Sequence, residues 1–186
     1  MSLLFYNEVV KFIKKVVKET ILPRKLKKVE SELKRTLLKH YERTVFWVKK
    51  LKPDADEALL IAAYSHDIER WFRPFLKPND IKGHQRKSAK IVSEFLSKIA
   101  ADKEMVQKVY YLISHHEEGG SHEANILKDA DSISFFENNL ALHAKLSPKT
   151  LRKKIEWMYR RITSPEAKKI CKPLYERAIK SLRTYR

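Results

Sequence analysis

Apolar residues recur at every third or fourth position along most of this chain. Two of these stripes are Leu33, Leu37, Leu38, Tyr41, Val45 and Val48, and Ile91, Val92, Phe95, Leu96 and Ile99. This spacing is the period of an α-helix that buries one face. Glycine, which weakens helices, occurs only three times among the 186 residues. The pattern therefore predicts an all-α fold.

Prolines and a glycine pair indicate where the helices begin and end. Pro148 and Pro165 each follow a serine, the typical order of an N-cap residue and the first helical residue. The Gly119-Gly120 pair separates two helices. We predict helices over residues 3–20, 24–51, 55–70, 83–100, 103–116, 123–143, 148–162 and 165–184. A chain of this length suits a single-domain helical bundle of about seven or eight helices.

This domain divides into three consecutive parts. We expect residues 1–36 to be a basic amphipathic helical extension packed on the core, residues 37–145 to hold the core, and residues 146–186 to complete the same domain with basic helices. The chain has no apolar run long enough for a signal peptide or a membrane span. Its single cysteine, Cys171, excludes a disulfide framework and a thiolate metal cluster. We therefore expect a cytoplasmic protein.

Charge is the next feature of the chain. Lys and Arg number 40 against 23 Asp and Glu, which gives a formal net charge of +17. Fourteen Lys or Arg and three Glu fall between Lys145 and Arg186. Such a field concentrates phosphorylated ligands without identifying one. Solvated helix faces explain the basic tail most simply, and a surface that binds nucleic acid is the less favoured alternative.

Histidine and aspartate form an ordered series along the predicted core. The series is His40, the pair His66-Asp67, His84, the pair His115-His116 and Asp131. Imidazole and carboxylate together bind hard or borderline divalent ions. Neighbouring helical residues point about 100° apart, so His66 and Asp67 can reach one region only where their helix ends or widens. Asp131 falls in an otherwise apolar helix, where a buried carboxylate needs a cation.

The order and setting of this series resemble the HD-domain superfamily of metal-dependent phosphohydrolases, whose signature is His, His-Asp, further His and a final Asp on a helical bundle. The resemblance covers about residues 36–140. Its segments are His40-x-x-Arg43-Thr44-Val45, residues 62–68, residues 83–89, residues 113–117 and residues 128–131. The resemblance implies an HD-type bundle that binds one or two divalent ions of Mn, Fe, Co, Ni or Mg.

The resemblance also implies how the ions would be held. The first ion would be bound by His40, His66, Asp67 and Asp131. Asp67 would bridge to a second ion, held by His84 and by His115 or His116.

Two of these assignments leave alternatives open. Asp131 is preferred to Asp129 because the family's final aspartate follows a small residue, and Asp129 would then orient a ligand imidazole. His116 could contact the substrate instead of binding a metal. His122 and His143 match nothing in the pattern.

Two departures from the family pattern concern the residues around the His-Asp pair. The common His-Asp-x-Gly-Lys is here His66-Asp67-Ile68-Glu69-Arg70. Arg70 could clamp a phosphate and Glu69 could act as a base, although a solvated ion pair explains both equally well. The segment from His115 to Gly120 is similar to the HD-GYP subgroup that opens cyclic dinucleotides, but the Gly-Tyr-Pro that names the subgroup is absent. Further candidate phosphate clamps, each with solvated surface as the alternative, are Arg73, Lys82, Arg86 and Lys87.

The resemblance implies a phosphomonoesterase or phosphodiesterase that acts on a nucleotide or a related phosphate ester through a metal-activated water. Its candidate catalytic residues are Asp67, Glu69 and His116. One alternative is a di-iron oxygenase of the HD type, since the same ligand set can hold iron. The nonenzymatic alternative is a nucleic-acid-binding helical protein with a structural metal, which would act through its basic tail.

Overall fold

A computed structural model of the chain describes residues 3–72, 83–143 and 146–182, and all regular structure in these ranges is helical. The α-helices are α1 (Leu4–Glu19), α2 (Glu30–Leu51), α3 (Glu57–Ser65), α4 (Glu69–Phe72), α5 (His84–Lys98), α6 (Lys103–Ser114), α7 (His122–Ser134), α8 (Pro148–Arg160) and α9 (Pro165–Ser181). Two 3₁₀ segments, Arg24–Val29 and Leu140–His143, and a π-helical segment, Phe135–Asn139, complete them. The predicted all-α, single-domain fold is confirmed.

Polar caps explain why several of these helices begin where they do. In each case the side chain of the N-cap residue accepts a hydrogen bond from a backbone N–H in the first turn, a group that the helix itself leaves unpaired. The capped helices and their N-cap residues are α3 with Asp56, α6 with Asp102, α7 with Ser121, α8 with Ser147 and α9 with Ser164. Pro148 and Pro165 occupy the first helical position as the sequence predicted.

Two of the predicted helices are interrupted, and both interruptions lie next to candidate ligands. The helix predicted over 55–70 ends at Ser65, because the N–H groups of Ile68 and Arg70 bond to carbonyls three residues earlier and tighten the chain into a turn. The helix predicted over 123–143 leaves α-geometry after Ser134, where the wider π-helical turn begins. A third difference is that residues 24–29 form a 3₁₀ segment before α2.

The buried apolar side chains form two clusters. The first lies among α1, α2, α3, α5, α6 and the first part of α7, and it includes Ile13, Leu37, Leu59, Val92, Leu112 and Leu127. The second joins the end of α7 and the π-helical segment to α8 and α9, and it includes Ile133, Phe136, Ile155 and Cys171. Helix α7 contributes to both clusters, so the candidate ligands near it lie at the junction.

The N-terminal helix packs on the first cluster rather than projecting from it. Val9, Ile13 and Val17 are buried along one face of α1, which contacts α3 and α5. Within the ranges that the structure describes, no helix has both the length and the apolar character needed to cross a bilayer.

Helix α3 gives a test of the first cluster, because each of its residues is buried. Leu60 is 3% exposed, and Leu60→Ala should lower the free energy of unfolding by about 2–5 kcal/mol through the cavity it leaves. Leu4, at the start of α1, is 60% exposed and provides the control, since Leu4→Ala should change stability by less than about 0.5 kcal/mol. Chemical denaturation of both variants measures the difference. Equal losses would contradict the packing described for α3.

Candidate metal centre

Six residues of the predicted series lie together in the interior, and each is at most 7% exposed. They come from α2, the turn after α3, the start of α5, the turn after α6, and α7, and they are His40, His66, Asp67, His84, His116 and Asp131. Their ligand atoms form three overlapping groups whose members lie within 4.8 Å of one another. These groups are His40, His66 and Asp67; His66, His116 and Asp131; and Asp67, His84 and His116.

The turn between α3 and α4 brings His66 and Asp67 to the same region. Its backbone is held from α2, because the Tyr41 hydroxyl donates to the carbonyl oxygen of Asp67 at 3.3 Å. Trp71 Nε1 in turn donates to the Tyr41 hydroxyl at 3.0 Å. This geometry meets the condition that the helix must end before both side chains can face one site.

Hydrogen bonds set the tautomers of three imidazoles. Nδ1 of His66 lies 3.0 Å from the Ala63 carbonyl oxygen and Nδ1 of His116 lies 2.8 Å from that of Ile113, and a carbonyl can only accept. Each Nδ1 therefore carries the proton, and Nε2 keeps a free lone pair in the neutral ring.

His40 reaches the same state through Ser134. The Ser134 hydroxyl donates to the backbone carbonyl of His40 at 2.9 Å, so its oxygen accepts from His40 Nδ1 at 2.8 Å. A hydrogen bond that fixes the outer nitrogen of a histidine and turns the inner one to a common centre is typical of metal ligands.

Electron-rich atoms converge at this centre. Nε2 of His40 lies 3.3 Å from Nε2 of His66, and the two atoms lie 3.1 and 3.4 Å from Asp131 Oδ1. Asp67 Oδ1 lies 3.5 Å from His84 Nε2 and 3.8 Å from His116 Nε2. This oxygen is buried and has no hydrogen-bond partner among the residues that the structure describes. A proton or a metal ion between buried lone pairs that face one another in this way stabilises them.

Two arginines hold the outer oxygens of the carboxylates. Arg70 contacts Asp67 Oδ2 at 2.7 Å, and Arg161 pairs with Asp131 Oδ2. Arg161 also donates from Nε to the Ser132 hydroxyl at 2.8 Å, and its side chain is 7% exposed. Each carboxylate therefore turns its Oδ1 towards the imidazoles.

Both carboxylates stay ionised in this setting. Burial alone would raise the pKa of Asp67, but Arg70 and His66 outweigh it and hold the pKa far below its usual range. At Asp131 burial is likewise outweighed, chiefly by Arg161, so its pKa is also lowered. Two full negative charges thus lie in the interior.

Burial keeps two of the imidazoles neutral. It lowers the pKa of His40, and it lowers the pKa of His116 to about 3, so both rings have the form that binds a metal. Burial acts in the same direction on His66, but Asp131 and Asp67 outweigh it and raise the pKa of His66. Without a metal, a proton on His66 compensates part of the negative charge.

This donor set fits a metal ion. Nitrogen and oxygen ligands of this kind suit hard or borderline divalent ions, and the imidazoles are already oriented by their outer hydrogen bonds. The buried histidines and aspartates could therefore hold a metal ion.

Two residues of the sequence prediction lie elsewhere. His115 is partly exposed; its ring stacks on that of Tyr111 with centroids 4.2 Å apart, and it belongs to none of the three ligand groups. Asp129 is buried but does not take the predicted role of orienting an imidazole. Its carboxylate accepts from the N–H groups of Thr163 and Ser164, each at 2.8 Å, and so anchors the start of α9.

The structure describes three of the five predicted substrate-binding residues. Arg73 and Lys82 lie outside the described residues. Arg86 and Lys87 are exposed in the first turn of α5, whereas Arg70 contacts Asp67 as described.

Glu69, the candidate base, is buried. Its N–H donates to the Ser88 hydroxyl at 3.2 Å and so links α4 to α5.

Sequence reasoning missed several residues at this centre. Besides Tyr41, Ser134 and Arg161, one of them is Glu117, whose Oε1 lies 3.6 Å from His84 Nε2 and whose Oε2 accepts from Gln85 Nε2 at 3.1 Å. Its position directly after His116 was the available signal. Arg161 gave no such signal, because one arginine within a basic tail looks like any other.

The two aspartates on α7 can be separated by experiment. Asp131→Asn should remove most of the bound metal while the helical fold persists, because asparagine keeps the shape but loses the ligand charge. Asp129→Asn should keep the metal and lower stability by about 1–3 kcal/mol, because it weakens the hydrogen bonds to the start of α9. Elemental analysis and melting temperature measure the two effects. Metal loss in the Asp129 variant alone would overturn this assignment.

Metal affinity should depend on pH in one direction. Because the pKa of His66 is raised, this residue holds its proton to a higher pH than an ordinary histidine, and a metal must displace that proton. Affinity is therefore full above the raised pKa and falls as the pH drops through it. Metal titrations between about pH 8 and about pH 5 test this. A constant affinity over that range would show that His66 is not a ligand.

Comparisons with known proteins give one family. A family model described as a domain of unknown function, DUF4202, matches residues 8–178. No curated protein and no solved structure gives a significant match. The matched range contains every residue of the metal centre and nearly all of the two apolar clusters. The chain therefore belongs to the DUF4202 family.

Proposed function

We propose that this chain is a metal-dependent phosphohydrolase of the HD type, which uses one or two divalent ions to hydrolyse a phosphate ester of a nucleotide or a related small molecule. The observation that carries the proposal is the convergence of the Nε2 lone pairs of His40, His66 and His116 with the inner oxygens of Asp67 and Asp131. The order of these residues along the chain is the order that resembles the HD superfamily.

The proposed reaction needs a Lewis acid and an activated water. A divalent ion bound by these ligands supplies both, since it polarises phosphate oxygens and makes hydroxide available near neutral pH. A nucleophilic side chain is then not required. Cys171 agrees with this view: it is buried in the second apolar cluster, and burial raises the pKa of its thiol to about 12.

Metal binding, orientation of the carboxylates and proton transfer are assigned to different residues of the chain. Asp67 and Asp131 supply ligand charge, and their arginine partners keep each Oδ1 turned inward. Glu117 is placed to accept a proton from the attacking water, because it lies beside His84 and its side chain reaches solvent. His116 remains a neutral ligand rather than a base, since its pKa is lowered to about 3.

The two adjacent histidines after α6 provide a matched test. His116→Ala should abolish metal-dependent activity and reduce metal content, because its Nε2 belongs to two of the three ligand groups. His115→Ala removes the same side chain one position earlier and should leave both unchanged, because that ring stacks on Tyr111. Activity is measured on generic phosphate monoesters and diesters, then on nucleotides, with each divalent metal in turn.

The outcomes separate the proposal from its alternatives. Loss of activity in the His115 variant with retention in the His116 variant would refute the site. Oxygen consumption by an iron-loaded protein without ester hydrolysis would identify an oxygenase. Absence of any turnover, combined with salt-sensitive binding to nucleic acid, would identify a binding protein with a structural metal.

A further inference from the structure

Helix α8 presents one face to the metal centre. Lys154, Trp157 and Arg161 are three and four residues apart, a spacing that places them on the same side of a helix. Leu151, Ile155 and Met158 on another side are buried in the second apolar cluster. Because Arg161 pairs with Asp131, the C-terminal end of this face reaches the metal centre, and Lys154 lies about two turns earlier on the same face.

Trp157 holds the two cations of this face close together. Lys154 Nζ lies 4.5 Å from the centre of the Trp157 ring, and the Arg161 guanidinium carbon lies 4.8 Å from it. Lys154 Nζ also lies 5.6 Å from the centre of the Phe135 ring. These aromatic contacts hold the lysine in a partly buried position against the cluster instead of leaving it free in solvent.

Lys154 forms no ion pair with any residue that the structure describes, whereas Arg161 and Arg70 each pair with a carboxylate. Burial lowers the pKa of Lys154, and the charges of Arg161 and Arg70 lower it further. Asp131 and Glu117 act in the opposite direction. The charged groups that affect the Lys154 ammonium are thus the ones around the metal centre. An anion bound beside Lys154 would reduce the repulsion between this ammonium and the two arginines.

The charges around the centre indicate what anion fits. Lys154, the charged groups that act on it and their ion-pair partners carry no net charge when the imidazoles are neutral, because the carboxylates of Asp67, Asp131 and Glu117 balance the cations of Arg70, Arg161 and Lys154. Each divalent ion then adds two uncompensated positive charges. A phosphomonoester carries close to two negative charges at pH 7, and a phosphodiester carries one. The monoester neutralises the site more completely.

We propose that Lys154, which shares the Trp157 ring with Arg161, forms an anion-binding subsite at the rim of the metal centre that takes the terminal oxygens of a phosphomonoester. This assignment rests on the proposed function in that the bound phosphoryl group is the one to be hydrolysed. It makes Lys154 a determinant of specificity for monoesters over diesters.

Lys154→Met is the test, because methionine keeps the apolar stem and removes the charge. Lys153→Met is the matched control, since Lys153 is exposed on the same helix and loses the same charge. Lys154→Arg keeps the charge. Inorganic phosphate is titrated into the metal-loaded proteins by calorimetry, after circular dichroism and elemental analysis show equal helix and metal content.

We expect Lys154→Met to bind phosphate about 10- to 100-fold more weakly, the range for loss of one charge-assisted hydrogen bond. Lys153→Met should stay within about twofold of the wild type, because an exposed charge contributes little. Lys154→Arg should keep most of the affinity. Unchanged phosphate binding in Lys154→Met, or an equal loss in Lys154→Arg, would overturn the subsite.

Esters matched in their leaving group test the specificity. For p-nitrophenyl phosphate, kcat/KM should fall about 10- to 100-fold in Lys154→Met, whereas for bis(p-nitrophenyl) phosphate it should change less than about threefold. Equal losses on both esters would overturn the monoester assignment. Phosphate binding that depends on Lys154 without hydrolysis of any ester would support the subsite and refute the hydrolase. Absence of phosphate binding by the metal-loaded wild type would refute the subsite whatever the activity.

Discussion

The arrangement of the helices depends on the cost of burying two ionised carboxylates. Asp67 and Asp131 are 4% and 7% exposed, and an unbalanced charge at such buried positions would be strongly destabilising. An arginine guanidinium pairs with the outer oxygen of each carboxylate, and imidazoles face the inner oxygen. The arginines neutralise the outer oxygen of each carboxylate. The inner oxygens keep their negative charge and face the position where a metal ion could bind.

The same requirement ties the C-terminal helices to the centre. Asp131 is paired with Arg161 at the end of α8, and Asp129, two residues earlier on α7, binds the backbone at the start of α9. The connection between α8 and α9 is thus held from two positions on α7. The basic tail, which in sequence resembles solvated surface, contributes Arg161 to the site.

The fold was predictable from local signals, and the site only partly so. Helical periodicity and serine-proline pairs predicted the class and the starts of α8 and α9, because caps act within one turn. The choice between His115 and His116 could not be made from sequence, since adjacent positions differ only by rotation about a helix end. Arg161 reaches the centre through packing of α8 over a long sequence separation, which no local pattern encodes. The change to π-helical geometry after Ser134 could not be predicted either, because π-helical turns have no distinctive amino-acid composition.

The π-helical segment Phe135–Asn139 has a consequence for how this protein can change. It lies between Asp131 and the helix that carries Arg161, and it holds one residue more per turn than an α-helix would. Deleting a single residue there would turn the rest of the segment and the 3₁₀ turn Leu140–His143 by about 100° and draw them back by about 1.5 Å. Substitutions that preserve packing leave that geometry intact. The segment is therefore constrained in length more than in composition, and insertions or deletions within it should be far rarer among functional variants than exchanges of side chains.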